Sequence, residues 1–413
     1  MNLRYYWNRG FWKCLADIVN FWSGGYRPMG AVFYLPIYQW ARLSPVPYRI
    51  AILLVIAGVL YFVFRIVLEL TKSSAAAAIA AAIVCVHPQI MIANYYNTSF
   101  LYDDMAALFT SALVYCYLRF RRNGRNLSGP NLIAIAAFYL AAINSKESTV
   151  AAVAWLAGYE IFVGRLREVR APAMLIVITL LYLSGRVFGP HSLSQEPGYK
   201  LEITASRFFV NQLLYLNDFF VTAGFNANWK WIAVWAALAA VCLIVRRREL
   251  WWCWFAALVS TLPVAFTVVP RGGASLFVAL LAWVMLAATL FASIPIRANV
   301  RWAAAVVLGC MLTYWAIPRW RATIPAFIDD HRVTWAVISQ MNTLRAHPAP
   351  HSRVLFVNDP FDGWDMALIA GIFWNDHTLD IDLGKKLDHP PDLSSYDWIL
   401  TFDGDKLRTI RTP

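Results

Sequence analysis

Charge is what this chain has least of. Only 15% of its 413 residues are charged, against roughly 25% in a soluble domain. Hydrophobic residues make up 60%, with a mean hydropathy of +0.51. That balance excludes a disordered chain and a water-soluble enzyme. None of the six cysteines forms a C-x-x-C pair, and five lie in apolar runs, which argues against a zinc site or a disulfide framework. Neither G-x-x-x-x-G-K-[ST] nor G-x-G-x-x-G occurs, so no nucleotide-binding loop is expected. Arg4, Arg9 and Lys13 are not followed by the apolar core of a cleavable signal peptide. The net charge of +12 is spread between apolar runs rather than gathered in one patch, so nucleic acid is not an expected partner.

What is present is a series of membrane-length apolar runs. They cover 48–68, 75–93, 104–118, 131–144, 148–164, 172–188, 229–245, 251–268, 274–292 and 302–318. A bilayer core needs roughly 17–25 apolar residues in a helix, and several of these runs are short. Lipid offers no partner to a bare amide, so each run is expected to be helical. Basic residues fall on every second loop: Arg65 and Lys72; Arg119, Arg121, Arg122 and Arg125; Arg165, Arg167 and Arg170; Arg246 to Arg248; Arg297 and Arg301. Those loops are expected to face the cytoplasm, and the alternate ones outward. The outward set comprises 94–103, 144–148, 189–228, 269–273 and everything after 318.

That topology places 1–47 outside with no helix before it. Either 29–43 is an eleventh, short span, or a first transmembrane helix is missing; the aromatic, Pro-interrupted sequence favours the second, with 1–47 an interfacial segment. Residues 325–413 differ in kind. They hold 13 Asp, no Glu and 8 Lys or Arg. Val354–Val357 and Trp398–Phe402 read as buried strands closed by turns, and 329–346 as a helix. Two strands do not make a stable sheet, so a third, or packing on the membrane domain, is expected. The fold class is therefore an α-helical polytopic membrane protein of about ten spans (48–320) with a small outer α/β domain (325–413).

Ionisable groups beside spans are expensive and default to functional hypotheses. Five sites stand out: Arg27-Pro28, His87-Pro88, Tyr102-Asp103-Asp104, Lys146-Glu147 and Arg271, all on the outward side. Each has a plainer reading. His87 reads equally as a kink residue bonded to a carbonyl. Asp103 and Asp104 read as a helix N-cap and first-turn acid. Lys146-Glu147 reads as a self-neutralising pair, and Arg271 as an interfacial anchor. Glu69, Glu160 and Glu168 read as snorkelling partners of nearby basic residues. Asp218 reads as the wet face of an amphipathic helix over 205–221. Asn97-Thr98-Ser99 and Asn126-Leu127-Ser128 fit the weak glycosylation pattern, the second on the cytoplasmic side. In the tail, Asp359, Asp362 and Asp365 lack the order of a calcium loop and read as solvated turn acids. Pro348 and Pro350 break the helical spacing of His347 and His351, so no metal site is expected there.

An outward mouth with paired carboxylates and separate cations suits transfer from an anionic lipid. A carboxylate takes the proton of an acceptor hydroxyl. Arg and Lys, or a divalent cation such as Mg or Mn, stabilise the departing phosphate. A pre-made lipid-linked donor needs no nucleotide fold.

Taken in order, Tyr26-Arg27-Pro28, His87-Pro88, Tyr102-Asp103-Asp104, Ser145-Lys146-Glu147-Ser148 and Pro270-Arg271 resemble the GT-C superfamily of integral-membrane glycosyltransferases. The likeness is to the branch containing protein O-mannosyltransferases and related bacterial sequences, and it spans about 20–290. The resemblance implies a polyprenyl-phosphate sugar donor and a protein, lipid or glycan acceptor. It implies a multi-pass protein of the bacterial inner membrane with its C-terminal domain extracytoplasmic. By resemblance, Asp103 and Asp104 match the catalytic acidic motif of an outer loop, Lys146 and Glu147 a later lysine–glutamate pair, and Arg271 a lipid-phosphate contact. Arg27, His87 and Tyr102 are further substrate-binding candidates. One departure stands: such enzymes carry their principal acid in the first outer loop, and here Asp17 is the only acid before Arg27. The expectation is a chain lacking its first membrane helix, or an inactive relative. A lipid-linked-sugar transporter or flippase and a non-catalytic scaffold are the competing functions, although no inverted repeat is visible.

Overall fold

A computed structural model describes residues 2–90, 100–121, 127–189, 200–344, 346–387, 389–404 and 406–411. Both glycosylation patterns, at Asn97 and Asn126, lie outside the described residues. The chain opens with α1 (Asn2–Arg9), α2 (Phe11–Ala16) and α3 (Met29–Ala41). It continues through α4 (Pro45–Thr71), α5 (Ser74–Val86), α6 (Leu101–Arg121), α7 (Gly129–Ile143), α8 (Ala151–Tyr159) and α9 (Arg170–Phe188). Then come α10 (Ala205–Phe220), α11 (Asn228–Val245), α12 (Arg248–Val259), α13 (Phe277–Ser293) and α14 (Ala298–Met341). Every apolar run of the sequence thus contains a helix. Among the described residues, four are long and apolar enough to cross a membrane: Pro45–Thr71, Arg170–Phe188, Asn228–Val245 and the Ala298–Ala322 part of α14. No more than 33% of any of their apolar windows is buried. Their apolar side chains mostly face outward, which is unsuited to contact with water.

The chain divides into two compact units. The larger comprises Cys14–Gly30 and Tyr48–Ala322. Helix α6 packs along α7, α12 along α13, and α13 along α5. Val63, Leu113, Tyr139, Trp155, Trp252 and Leu281 anchor its core. Small residues let the backbones approach, as in the alanine-rich α5, where Ala76, Ala77 and Ala80 are fully buried.

One charged knot lies inside this unit. Glu160 accepts from Tyr117 Oη (2.8 Å) and from Arg121 Nε (2.8 Å) and Nη2 (3.0 Å). It opens a π-helical turn, Glu160–Gly164, and its second oxygen also accepts the Glu168 N–H at 3.2 Å. Glu168 in turn accepts the N–H groups of Leu127 and Arg170. Both carboxylates are buried (1% exposed), so they staple helix ends rather than snorkel. Glu69 behaves as expected, pairing with Lys72 at 2.8 Å.

The smaller unit comprises Met1–Lys13, Ala31–Pro47 and Thr323–Pro413. Its sheet has the order β2-β1-β3-β4, from β1 (Arg353–Phe356), β2 (Asp380–Leu383), β3 (Trp398–Asp403) and β4 (Lys406–Arg411). Strand β1 runs parallel to β2 and β3, and β4 antiparallel to β3. Helix α15 (Asp365–Trp374) makes the crossover, and Phe356, Met366, Leu400 and Phe402 fill the core. Asp359 is buried, not a solvated turn acid: its Oδ1 accepts the Phe361 N–H at 2.9 Å. Asp362, Asp365, His347 and His351 are exposed.

Helix α1 and most of α3 belong to this unit. Arg4 donates to the Ala367 carbonyl at 3.0 Å, and Trp7 stacks on His377 at 3.5 Å. Tyr38 donates to the Ile372 carbonyl at 2.7 Å and lies 3.0 Å from Asn375 Oδ1, which also accepts from Arg42. Tyr38→Phe removes that hydrogen bond, leaving the Ile372 carbonyl with the Asn375 N–H at 3.2 Å, and is expected to cost about 0.5–1.5 kcal/mol. Hydrogen exchange is the check: amides of Asp365–Trp374 should exchange faster in the variant, while those of α6 and α7 should not change.

Candidate functional site

The site is built where helix ends meet. Helix α6 starts at Leu101 with Asp103 and Asp104 in its first turn, where carboxylates suit the helix dipole. Helix α7 ends at Ile143, and its last carbonyls are capped: Asn144 Nδ2 and Ser145 Oγ donate to Leu140 and Ala141 at 2.9 and 2.7 Å. Lys146 then adopts an extended backbone and a 3₁₀ turn, Glu147–Val150, leads into α8. Because α6 packs on α7, the beginning of one meets the end of the other. Lys146 Nζ sits 2.9 Å from both Asp103 oxygens. Asp103 is 3% exposed and Asp104 is 1%.

Glu147 turns to the segment 14–30. Its two oxygens accept from Arg27 Nη2 (2.9 Å) and Nε (3.3 Å), a bidentate fork. The Arg27 guanidinium also lies 4.9 Å from the Tyr26 ring centre and 5.3 Å from that of Tyr102. Those rings meet edge to face at 6.2 Å. Arg27 has a backbone φ of 41°, in the left-handed region, directly before Pro28. A residue before proline prefers extended backbone, and a non-glycine residue held at such φ costs of order 1–3 kcal/mol. The surrounding contacts hold it there.

Arg186 was not singled out from the sequence. It lies in the last turn of α9, donates to the Gly25 carbonyl at 2.9 Å and stacks 5.1 Å from the Tyr182 ring centre. Its neighbour Gly185 explains the close approach: a Cβ there would collide with the Phe21 carbonyl. Arg186 is buried, and both Glu147 and Arg27 act on it electrostatically. The signal that would have found it is an arginine inside an apolar run.

Electrostatics tie these groups together. Burial alone would raise the Glu147 carboxyl, but Arg27, Lys146 and Arg186 hold it down at about 2. Burial lowers Lys146, and the neighbouring Asp103 opposes that shift. Burial raises the Tyr26 phenol, which feels Arg27, Glu147, Asp103 and, further off, Arg271. Arg271 is half-buried, and its charge acts weakly on the Tyr26 phenol beside the cluster.

His87 is elsewhere. Its Nε2 donates to the Phe219 carbonyl at 3.1 Å, the carbonyl-bonded geometry of the plainer reading. It lines an apolar cavity and an adjoining notch with Gln89, Asp218 and Gly273. Asp218 is not on a wet face either. It is half-buried, accepts the Gly273 N–H at 2.9 Å, and is raised chiefly by burial. Of the sequence-predicted residues, Arg27, Tyr102, Asp103, Lys146 and Glu147 therefore join directly. Asp104 shares their helix turn, Arg271 their field, and His87 neither.

Among the described residues no group of three or more His, Cys, Asp or Glu is placed to hold a metal ion. Asp103 is engaged by Lys146 and Glu147 by Arg27, a donor set arranged for cations of the chain itself. Arg186 acts as a brace for the Arg27 segment. Arg186→Met is expected to raise proteolytic cleavage within 14–30 several-fold while leaving the α6–α7 region protected, as limited digestion followed by mass spectrometry would report. Comparison with protein-family models, curated proteins and solved structures finds no match.

Proposed function

We propose that this is a membrane glycosyltransferase that moves a sugar from a polyprenyl-phosphate carrier to an acceptor hydroxyl on the side away from the cytoplasm. The observation carrying this reading is the convergence of Arg27, Asp103, Lys146 and Glu147, from three separate segments, into one largely buried cluster at helix ends. Buried charges of this density are expensive unless function retains them. Further support comes from the apolar surface around the helices, on which a lipid-linked donor can travel. In this reading the membrane domain has about ten spans, is GT-C-like, and presents the cluster and the C-terminal α/β unit to the extracytoplasmic side of a bacterial inner membrane.

In the proposed step, Asp103 accepts the proton of the acceptor hydroxyl. The oxygen attacks the anomeric carbon, and the bond from that carbon to the phosphate oxygen breaks. The electron pair leaves with the phosphate. Lys146, released from Asp103, and Arg271 stabilise the growing phosphate charge. Arg27 is clamped by Glu147 and the tyrosines, so it sets the shape of the site rather than moving. The protonated Asp103 returns its proton to solvent.

Proteoliposomes holding the protein and a radiolabelled polyprenyl-phosphate hexose test this. Label transfer to protein, lipid or glycan acceptors with release of polyprenyl phosphate is expected. Movement of the intact donor across the bilayer without transfer would make the protein a flippase. Neither transfer nor movement, with donor still bound, would make it a non-catalytic relative.

A further inference from the structure

We infer that the larger unit grips an anionic phospholipid by its phosphate, on a rim of arginines at the far end of the bundle from the Asp103–Lys146 cluster. This rests on the chain lying in a bilayer and not on the sugar-transfer reading.

Helix order fixes where that end is. Helix α8 leaves the cluster just after Lys146 and Glu147, and α9 returns to it at Arg186. The loop 164–170 between them therefore lies one helix length away, roughly 20 Å. Helix α12 packs against the π-helical turn Glu160–Gly164. Trp252 meets Tyr159 edge to face at 5.4 Å, and Phe255 lies 5.7 Å from Phe162. That contact brings in the loop 246–248, which leads into α12. Arg247 Nη1 in turn reaches Ser293 Oγ at 3.4 Å, which brings in the loop after α13. Three loops from separate stretches of sequence thus form one rim.

The charge of the rim is one-sided. Glu160 and Glu168 are buried and matched to Arg121 and Arg170, and Glu249 faces Arg247 at 3.8 Å. Arg165, Arg167, Arg246, Arg248 and Arg297 are exposed, and among the described residues none of them has a carboxylate partner. Guanidinium groups grip phosphate oxygens bidentately. Membrane insertion also favours basic loops, but that signal is carried by the loop sequences. It does not require the loops to converge in the fold, nor apolar side chains to stand among the cations. Here they do: Leu166 is 61% exposed, Val169 58% and Ile244 79%. A phospholipid satisfies both features at once, with its phosphate on the arginines and its acyl chains along the apolar side chains. A soluble anion would satisfy only the first.

The test titrates the full chain in mild detergent with phosphatidylglycerol or with phosphatidylcholine of the same acyl chains, read by native mass spectrometry. Phosphatidylglycerol is expected to bind at least tenfold more tightly. Arg165→Gln, Arg167→Gln, Arg246→Gln and Arg248→Gln together should remove that preference and leave phosphatidylcholine binding unchanged. Lys13→Gln, Lys200→Gln and Lys406→Gln together, at three exposed lysines elsewhere, should leave the preference intact. Should the arginine variant fail to fold, raising salt from about 0.1 to about 1 M should remove the preference of the wild type. Equal affinity for the two lipids would overturn the assignment. So would an undiminished preference in the arginine variant, which would leave the charges as an insertion signal only, or an equal loss in the lysine variant, which would mean diffuse attraction. Displacement of the lipid by an equal concentration of free glycerol phosphate would also overturn it, by making the rim a site for soluble anions.

Discussion

Asp103→Asn is expected to lower sugar transfer by about 10²–10⁴-fold, the range for removing a positioned general base. The amide keeps the shape but cannot take a proton. It also leaves Lys146 without the carboxylate that sits 2.9 Å away. Loss of the base should appear in kcat more than in KM, because the donor phosphate is held by other groups. Asp104→Asn provides the contrast. Successive residues on a helix point about 100° apart, and it is Asp103 that reaches Lys146. Asp104→Asn should therefore retain substantially more activity than Asp103→Asn. Steady-state rates with a defined lipid-linked donor would separate the two. Equal losses, or an Asp103→Asn variant with undiminished kcat, would remove Asp103 from the role of base.

The second large effect is on stability. Glu147→Gln removes the charge that compensates Arg27 and lies close to Lys146 and Arg186. Breaking a buried pair from one side typically costs about 3–5 kcal/mol. The acid titration gives a similar figure. Glu147 is lowered in the folded chain from 4.5 to about 2; at 1.36 kcal/mol per unit that is about 3 kcal/mol. The sign follows from the direction. A depressed carboxyl stabilises the fold above its unfolded value, and that contribution is lost as pH falls from about 4.5 towards 2. Thermal unfolding in detergent should show a large drop for the variant at pH 7. The gap between wild type and variant should close on acidification through that window. A gap independent of pH would mean the loss comes from packing, not charge.

The helices were legible because their signal is redundant: each is an apolar run bounded by charges, and four of them are long and apolar enough to cross a membrane. The site was legible for a related reason. Arg27, Asp103, Lys146 and Glu147 all fell on loops of one parity, and helix packing then brings such loops together. What was missed has identifiable causes. Arg186 sits in the final turn of an apolar run and looks like a boundary residue. Glu160 and Glu168 have basic neighbours in sequence, which suggests pairing but not burial. Asp218 occupies the C-terminal turn of an amphipathic helix, and only the tertiary position of Gly273 covers it. In the tail, β1 and β3 announce themselves as apolar runs, whereas β2 and β4, rich in charge at the sheet edges, do not. Helix α14 is continuous from Ala298 to Met341, whereas the sequence separates an apolar run at 302–318 from a helix at 329–346.

The proposed transfer requires the Arg27–Asp103–Lys146–Glu147 cluster to receive a lipid phosphate. Equilibrium binding of a radiolabelled polyprenyl phosphate to the purified chain tests this most directly. Wild type should bind it, and Lys146→Gln should bind at least tenfold more weakly, since truncating one member of a close charge pair costs about 2–5 kcal/mol. Identical affinities for wild type and Lys146→Gln would contradict the account.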